Sequence, residues 1–124
     1  MYRFDYDRAV DCFRIHVSGF WTPADVQEFG PALHAKAKEI GRQSPRFDVM
    51  IESLDFPVQA NDVADMLNGV MAQSIEITQG RVAVVVASQL NKLQVERTLV
   101  HPRVRPFLSI AQGQAWLAEG RSSG

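Results

Sequence analysis

Near its beginning the chain alternates between apolar and polar residues with a period of two. Tyr2 to Tyr6 and Cys12 to Val17 both follow this pattern, and a short polar stretch separates them. Such alternation is typical of strands with one buried face, and two strands around a brief link predict a β-hairpin.

The next segment has a helical pattern. Apolar residues recur at three- and four-residue steps from Val26 to Ile40, which predicts one buried face of a helix. The stretch Thr22 to Asp25 is a favourable start, because it supplies a threonine N-cap, a proline for the first turn and an aspartate near the positive helix end. We expect Pro31 to kink this helix and Gly41 to end it.

Two later runs are apolar on consecutive positions, as in strands covered on both faces, within Phe47 to Leu54 and at Val82 to Ala87. The remaining predicted elements are an amphipathic helix at Ala60 to Ser74 with Asn61 or Asp62 as its cap, a helix capped by Ser88, a short strand at Val104 to Leu108 and a last helix at Ser109 to Ala118. The order ββαβαβαβα predicts a single α/β domain with a mainly parallel sheet flanked by helices. We expect this domain to span residues 1–120, and residues 121–124 to form a disordered tail.

Composition narrows the class of protein. The 124 residues are 46% hydrophobic, which is enough for a core, and thirteen Lys and Arg against fourteen Asp and Glu argue against a nucleic-acid binder. No apolar stretch is long enough to span a bilayer, so no membrane insertion is expected, and the first residues do not resemble a signal segment. Cys12 is the only cysteine, and we therefore expect a cytoplasmic protein.

The charge is unevenly distributed along the chain. Residues 1–80 carry seven basic and twelve acidic residues, whereas residues 81–124 carry six basic and two acidic ones. The basic side is concentrated in Lys92, Arg97, His101, Arg103 and Arg105. Such a chain either compensates these charges on its own folded surface, or pairs with itself or with an acidic partner.

Four segments carry a resemblance to known proteins. They are Gly19 to Asp25 opening the first helix, Arg46-Phe-Asp-Val-Met-Ile-Glu, Arg81-Val-Ala-Val-Val-Val followed by Ser88, and Phe107 with Ala115-Trp-Leu. Together with the element order they resemble the SpoIIAA-like family of the STAS-like group, over nearly the whole chain. The resemblance rests on core pattern and therefore implies the fold more than an activity.

The better-known proteins of similar fold are anti-sigma-factor antagonists. The resemblance implies a non-enzymatic protein that binds partners, and in those proteins a phosphorylated Ser or Thr begins the helix after the first central strand. The corresponding stretch here, Asp55 to Asp62, contains no hydroxyl residue, and Ser53 precedes it within the predicted strand. The phosphorylation switch is therefore not among the properties that we carry over.

Polar candidates for a binding site follow the central strands. In a parallel sheet the loops at the carboxyl ends of strands gather at one edge, where helix N-termini also point. Six residues are candidates for binding an anion or a partner there: Ser53, Asp55, Gln59, Asn61, Asp62 and Ser88. The alternative is that Asn61 or Asp62 and Ser88 simply cap their helices, which the residue types also explain.

Three apolar residues are candidates for a pocket or an interface. Phe20 and Trp21 are adjacent in a loop, so one of them can staple the helix start while the other lines a surface. Met66 is the third, since a methionine suits an adaptable apolar pocket, and the alternative for all three is ordinary core packing.

No arrangement of residues indicates catalysis. His16, His34 and His101 are scattered without metal-ligand spacing, and Cys12 near His16 lacks an orienting group. We therefore predict no catalytic residues, no metal and no cofactor. The predicted function is a non-catalytic regulatory module that docks a protein partner, or a second copy of itself, at Asn61 to Ser74 and the preceding loop. The alternative is a carrier or sensor of an apolar or anionic small molecule.

Overall fold

The computed structural model describes residues 1–122 and has the predicted order of strands and helices. The strands are β1 (Tyr2–Asp7), β2 (Cys12–Ser18), β3 (Asp48–Asp55), β4 (Val82–Val86) and β5 (Val104–Phe107). The helices are α1 (Pro23–Gln43), α2 (Asn61–Ile75), α3 (Gln89–Thr98) and α4 (Ile110–Ser122).

The five strands form one sheet in the order β1-β2-β3-β4-β5. β1 pairs antiparallel with β2, and the other neighbours are parallel, as the hairpin and the alternating elements predict. α1, α2 and α3 belong to the same core layer on one face, where Phe13, Phe29 and Val84 are buried. α4 packs alone on the opposite face, against β3, β4 and β5.

The first helix confirms its predicted start but does not end where the sequence predicts. Thr22 and Asp25 form a reciprocal capping box. Pro31 lies inside a continuous helix, because its missing hydrogen bond falls on the exposed side. The helix passes Gly41 and ends at Ser44, since the proline that follows Ser44 disfavours helical angles there.

The chain end differs from the predicted tail. α4 continues to Ser122, and Arg121 donates to the carboxylate of Asp48 at 2.6 Å, so Arg121 is part of the fold. The physical reason is that Asp48 is buried at the start of β3 and needs a cationic partner. Of the predicted tail, residues 123–124 lie outside the described residues.

Between residues 1 and 122, no helix combines the length and the apolar character needed to cross a bilayer.

Candidate functional site

The carboxyl ends of β2 to β5 lie at one edge of the sheet, which we call the carboxyl edge. The loops at residues 19–22, 56–60 and 87–88 leave β2, β3 and β4 there and lead into α1, α2 and α3. The first of these loops is joined to the end of β3, because the Gly19 N–H donates to the Asp55 carbonyl at 3.0 Å. Gly19 has φ +79°, a conformation that favours glycine.

Gln59 holds two of these loops together. Its Oε1 accepts the Trp21 N–H at 2.8 Å, and its Nε2 donates to the carbonyls of Gly19 at 3.0 Å and Pro57 at 2.7 Å. Because both ends of the amide are engaged, Gln59 positions the edge and has little capacity left to recognise an anion.

The other polar candidates divide between structural and exposed positions. Ser88 caps α3, with its Oγ accepting the Asn91 N–H at 3.2 Å, and Ser53 donates to the Val85 carbonyl at 2.7 Å. Asp55, Asn61 and Asp62 are exposed. The cap interpretation is therefore confirmed for Ser88.

The start of α2 differs from the predicted cap. Ala60 occupies the N-cap without a side-chain hydrogen bond, Asn61 is the first helical residue, and Asp62 accepts the Val63 N–H at 2.9 Å. With the carboxylate of Asp62 in the first turn of α2, the electrostatics oppose an anion there. The geometry suits a neutral or cationic group better.

The three apolar candidates do not come together in one pocket. Trp21 is buried, stacks edge-on against Phe29 and Phe56, and donates its indole N–H to the Ser18 carbonyl. Met66 is half-buried against the same core. Phe20, by contrast, is 79% exposed. Of the two adjacent aromatics, one is therefore core and the other is surface.

Sequence reasoning missed three apolar side chains that share this edge with Phe20. Val58 in the second loop is 63% exposed, Leu90 in the first turn of α3 is 61% exposed, and Leu54 near the end of β3 is also exposed. The signal that identifies them is position, since each lies within a few residues of the carboxyl end of a parallel strand.

A cleft of about 400 Å³ opens between α2 and α3, which we call the α2–α3 cleft. Its apolar lining includes Val84, Val86 and Leu67, and side-chain amides of Asn68 and Gln94 are among its polar groups. Asp65 is its one ionisable residue, so the lining is almost uncharged. The predicted residues Ser53, Gln59 and Asn61 line this cleft, whereas Phe20, Trp21 and Met66 do not.

Among the described residues, the fold clearly shifts the pKa values of three titratable groups, Cys12, Tyr6 and Asp25. Burial raises the pKa of the Cys12 thiol to about 12, which leaves it protonated and unreactive at neutral pH. The hydrogen bond to Asp11 raises the pKa of Tyr6, and the backbone hydrogen bond from Thr22 lowers the pKa of Asp25. Among residues 1–122, no group of three His, Cys, Asp or Glu side chains is arranged to hold a metal ion.

The fold of this chain is similar to that of a protein of known structure. A protein from Shewanella loihica PV-4, described as an uncharacterized member of the DUF3478 family with a SpoIIAA-like fold, superposes with a TM-score of 0.70. The superposition covers 94% of this chain and 93% of that chain, at 16% sequence identity.

This chain has a SpoIIAA-like fold. The predicted resemblance and the predicted α/β architecture are thereby confirmed. At this identity the likeness concerns the SpoIIAA-like fold and not an activity. No protein-family model matches the sequence. No curated protein matches it either.

Proposed function

We propose that this SpoIIAA-like domain is a non-catalytic binding module that docks a protein partner at its carboxyl edge. The observation that carries the proposal is the exposure of Phe20, Val58 and Leu90, which come from three successive strand-to-helix connections. Exposed apolar side chains that converge on one edge are typical of interaction sites, and aromatic residues most often supply the binding energy.

The edge is also well ordered by the fold. The hydrogen bonds of the Gln59 side chain to Trp21 and Gly19, together with the hydrogen bond between Gly19 and Asp55, fix the loop that carries Phe20 before any partner binds. A preorganised surface loses less conformational entropy on binding. Asp55, Asp62 and Asp65 are exposed around the same helix start, so we expect basic groups on the partner.

Affinity capture with the purified domain as bait tests this proposal. We expect a partner that the wild-type domain retains and that the variant Phe20→Ala, or the double variant Asn61→Lys with Asp62→Lys, loses at least tenfold. Lys38→Ala in α1 is the matched control, because Lys38 is exposed and lies away from the carboxyl edge. Unchanged retention of the partner by both edge variants would refute the proposal. Loss of the partner by Lys38→Ala as well would show that the variants act through folding and not through the carboxyl edge.

The partner is either another protein or a second copy of this chain. Sedimentation equilibrium of the wild-type domain and of Phe20→Ala separates the two cases. A wild-type dimer that Phe20→Ala dissociates identifies the partner as a second copy. A monomeric wild-type domain directs the search to another protein.

A second candidate function is small-molecule binding, and the α2–α3 cleft favours it. About 400 Å³ lies within the range of ligand pockets, and an apolar lining with amides suits an uncharged ligand. Mass spectrometry under native and then denaturing conditions tests this function. A mass that is lost on denaturation, and that Leu67→Trp excludes by filling the cleft, supports it. A bare protein mass in every preparation counts against it.

A further inference from the structure

Another concave surface, which we call the β5 groove, lies along the lateral edge of the sheet that β5 forms. It has a volume of about 570 Å³ and runs over the open edge of β5, between α3 and the start of α4. Its apolar lining includes Leu99 and Val100 from the end of α3 together with Val104 and Pro106 of β5. Val100 is exposed, so folding leaves part of this apolar surface uncovered.

Charges in the groove are unbalanced. Lys92 and Arg105 line it against a single carboxylate, that of Glu96. The guanidinium of Arg105 lies 5.0 Å from the centre of the Trp116 ring, so it is held by stacking and not by an ion pair. The groove therefore combines an apolar surface with cationic groups at its margin.

An extended peptide is a poor occupant, because the open edge of β5 offers no free backbone donor. The Val82 N–H donates to the Arg103 carbonyl, so in the parallel ladder Val104 and Pro106 direct their backbone groups away from β4. Pro106 has no N–H, and the Val104 N–H already donates to the His101 carbonyl at 3.1 Å. Strand addition, the usual way in which a peptide joins a sheet edge, lacks its donors here.

We propose that the β5 groove binds a small amphipathic anion, a carboxylate with an apolar body. The apolar body would lie on Leu99, Val100 and Val104, and the carboxylate would face Lys92 and Arg105. The volume is in the range of small-molecule sites, and charge complementarity selects an anion over a cation. None of the exposed apolar residues Phe20, Val58 and Leu90 lines this groove, so the inference goes beyond the proposed function.

Trp116 provides a reporter inside the structure, because it stacks against both Arg105 and Phe107. The variant Trp21→Phe leaves Trp116 as the only tryptophan. In this protein we would titrate decanoate, decyltrimethylammonium and decanol, each below the concentration at which it aggregates. We expect a saturable change in Trp116 emission with decanoate, and binding of the two other probes at least tenfold weaker.

Two further measurements keep the proposal falsifiable. By calorimetry, Lys92→Gln and Arg105→Gln should each weaken decanoate binding about fivefold, the size expected of a partly exposed ion pair. Arg97→Gln is the matched control, since Arg97 is exposed on α3 but does not line the groove. Phe20→Ala should bind decanoate like the wild-type protein, which separates this test from the test of the carboxyl edge.

Three outcomes would overturn the proposal. They are equal binding of decanoate and decyltrimethylammonium, unchanged decanoate affinity in both glutamine variants, and no saturable binding of decanoate to the wild-type protein by calorimetry.

Discussion

Replacing Arg121 by alanine tests how the last helix is fastened to the sheet. The Arg121 guanidinium donates to one carboxylate oxygen of Asp48 at 2.6 Å, and the Arg81 N–H donates to the other at 2.9 Å. Arg121→Ala leaves one oxygen of a buried carboxylate without its cationic donor. We therefore expect a clear loss of stability from a residue near the end of the chain.

The magnitude follows from the exposure of the two partners. Breaking a fully buried ion pair costs roughly 3–5 kcal/mol, and an exposed pair is worth less than about 1 kcal/mol. The Asp48 side chain is 7% exposed but that of Arg121 is 35% exposed, so water can replace part of the lost interaction. We expect Arg121→Ala to lower the free energy of unfolding by about 2 kcal/mol, which shifts the urea midpoint by about 1 M.

Urea unfolding followed by circular dichroism measures this change. The double variant Asp48→Asn with Arg121→Ala should be less destabilised than the sum of the two single variants, because both remove the same interaction. Lys36→Ala is the control, since it removes an exposed pair with Glu39 at 3.7 Å and should cost under about 0.5 kcal/mol. If the free energy of unfolding of Arg121→Ala lies within about 0.5 kcal/mol of the wild-type value, the packing of α4 does not depend on this contact. That result would be expected if the end of the chain were frayed.

Gly80→Ala should destabilise the fold by about 3 kcal/mol, since its Cβ would lie 2.2 Å from the Phe47 carbonyl oxygen. A Cβ added at Gly69 in α2 would meet no other atom within 4 Å, so Gly69→Ala should stabilise the protein by about 0.5–1 kcal/mol. Thermal unfolding of the Gly80→Ala and Gly69→Ala proteins measures both effects, and equal unfolding midpoints would contradict both predictions. With its pKa raised to about 12, about one Cys12 thiol in 10,000 is ionised at pH 8. Ellman's reagent should therefore react rapidly with Cys12 only after denaturation. Rapid reaction of Cys12 in the folded protein would refute this prediction. Thr22→Ala should cost about 1 kcal/mol in urea unfolding while Thr22→Ser retains the cap, and equal losses in both would contradict the capping role.

The order of elements was predictable because it depends on local patterns. Period-two alternation, helical spacing and continuous apolar runs each report how many faces of an element are buried. Element ends were less predictable, because they depend on neighbours. Ser44 ends α1 ahead of a proline, although Gly41 has the more familiar end signal, and α2 begins after Ala60 without any side-chain cap.

The position of the candidate loops was predictable, but the exposure of their side chains was not. Parallel topology places the carboxyl ends of β2, β3 and β4 at one edge of the sheet. Whether a given side chain faces the core or the solvent depends on tertiary packing, which sequence spacing does not report. Trp21 is buried while its neighbour Phe20 is exposed, and Leu90 lies at a helical spacing with Leu93 although both are exposed.

The distribution of charge on the folded surface was also predictable only in part from the sequence. The basic segment 81–124 left two interpretations open, charge compensation on the folded surface or a basic face for a partner, and folding uses several of its cations in internal contacts. Arg103 donates to the carbonyls of Gly80 and Ile75, Arg81 donates to the Trp116 carbonyl, and Arg121 pairs with Asp48. Lys92 and Arg105 instead line an open groove. Which of these cations serve the fold and which remain accessible is therefore set by tertiary packing, which the sequence alone does not report.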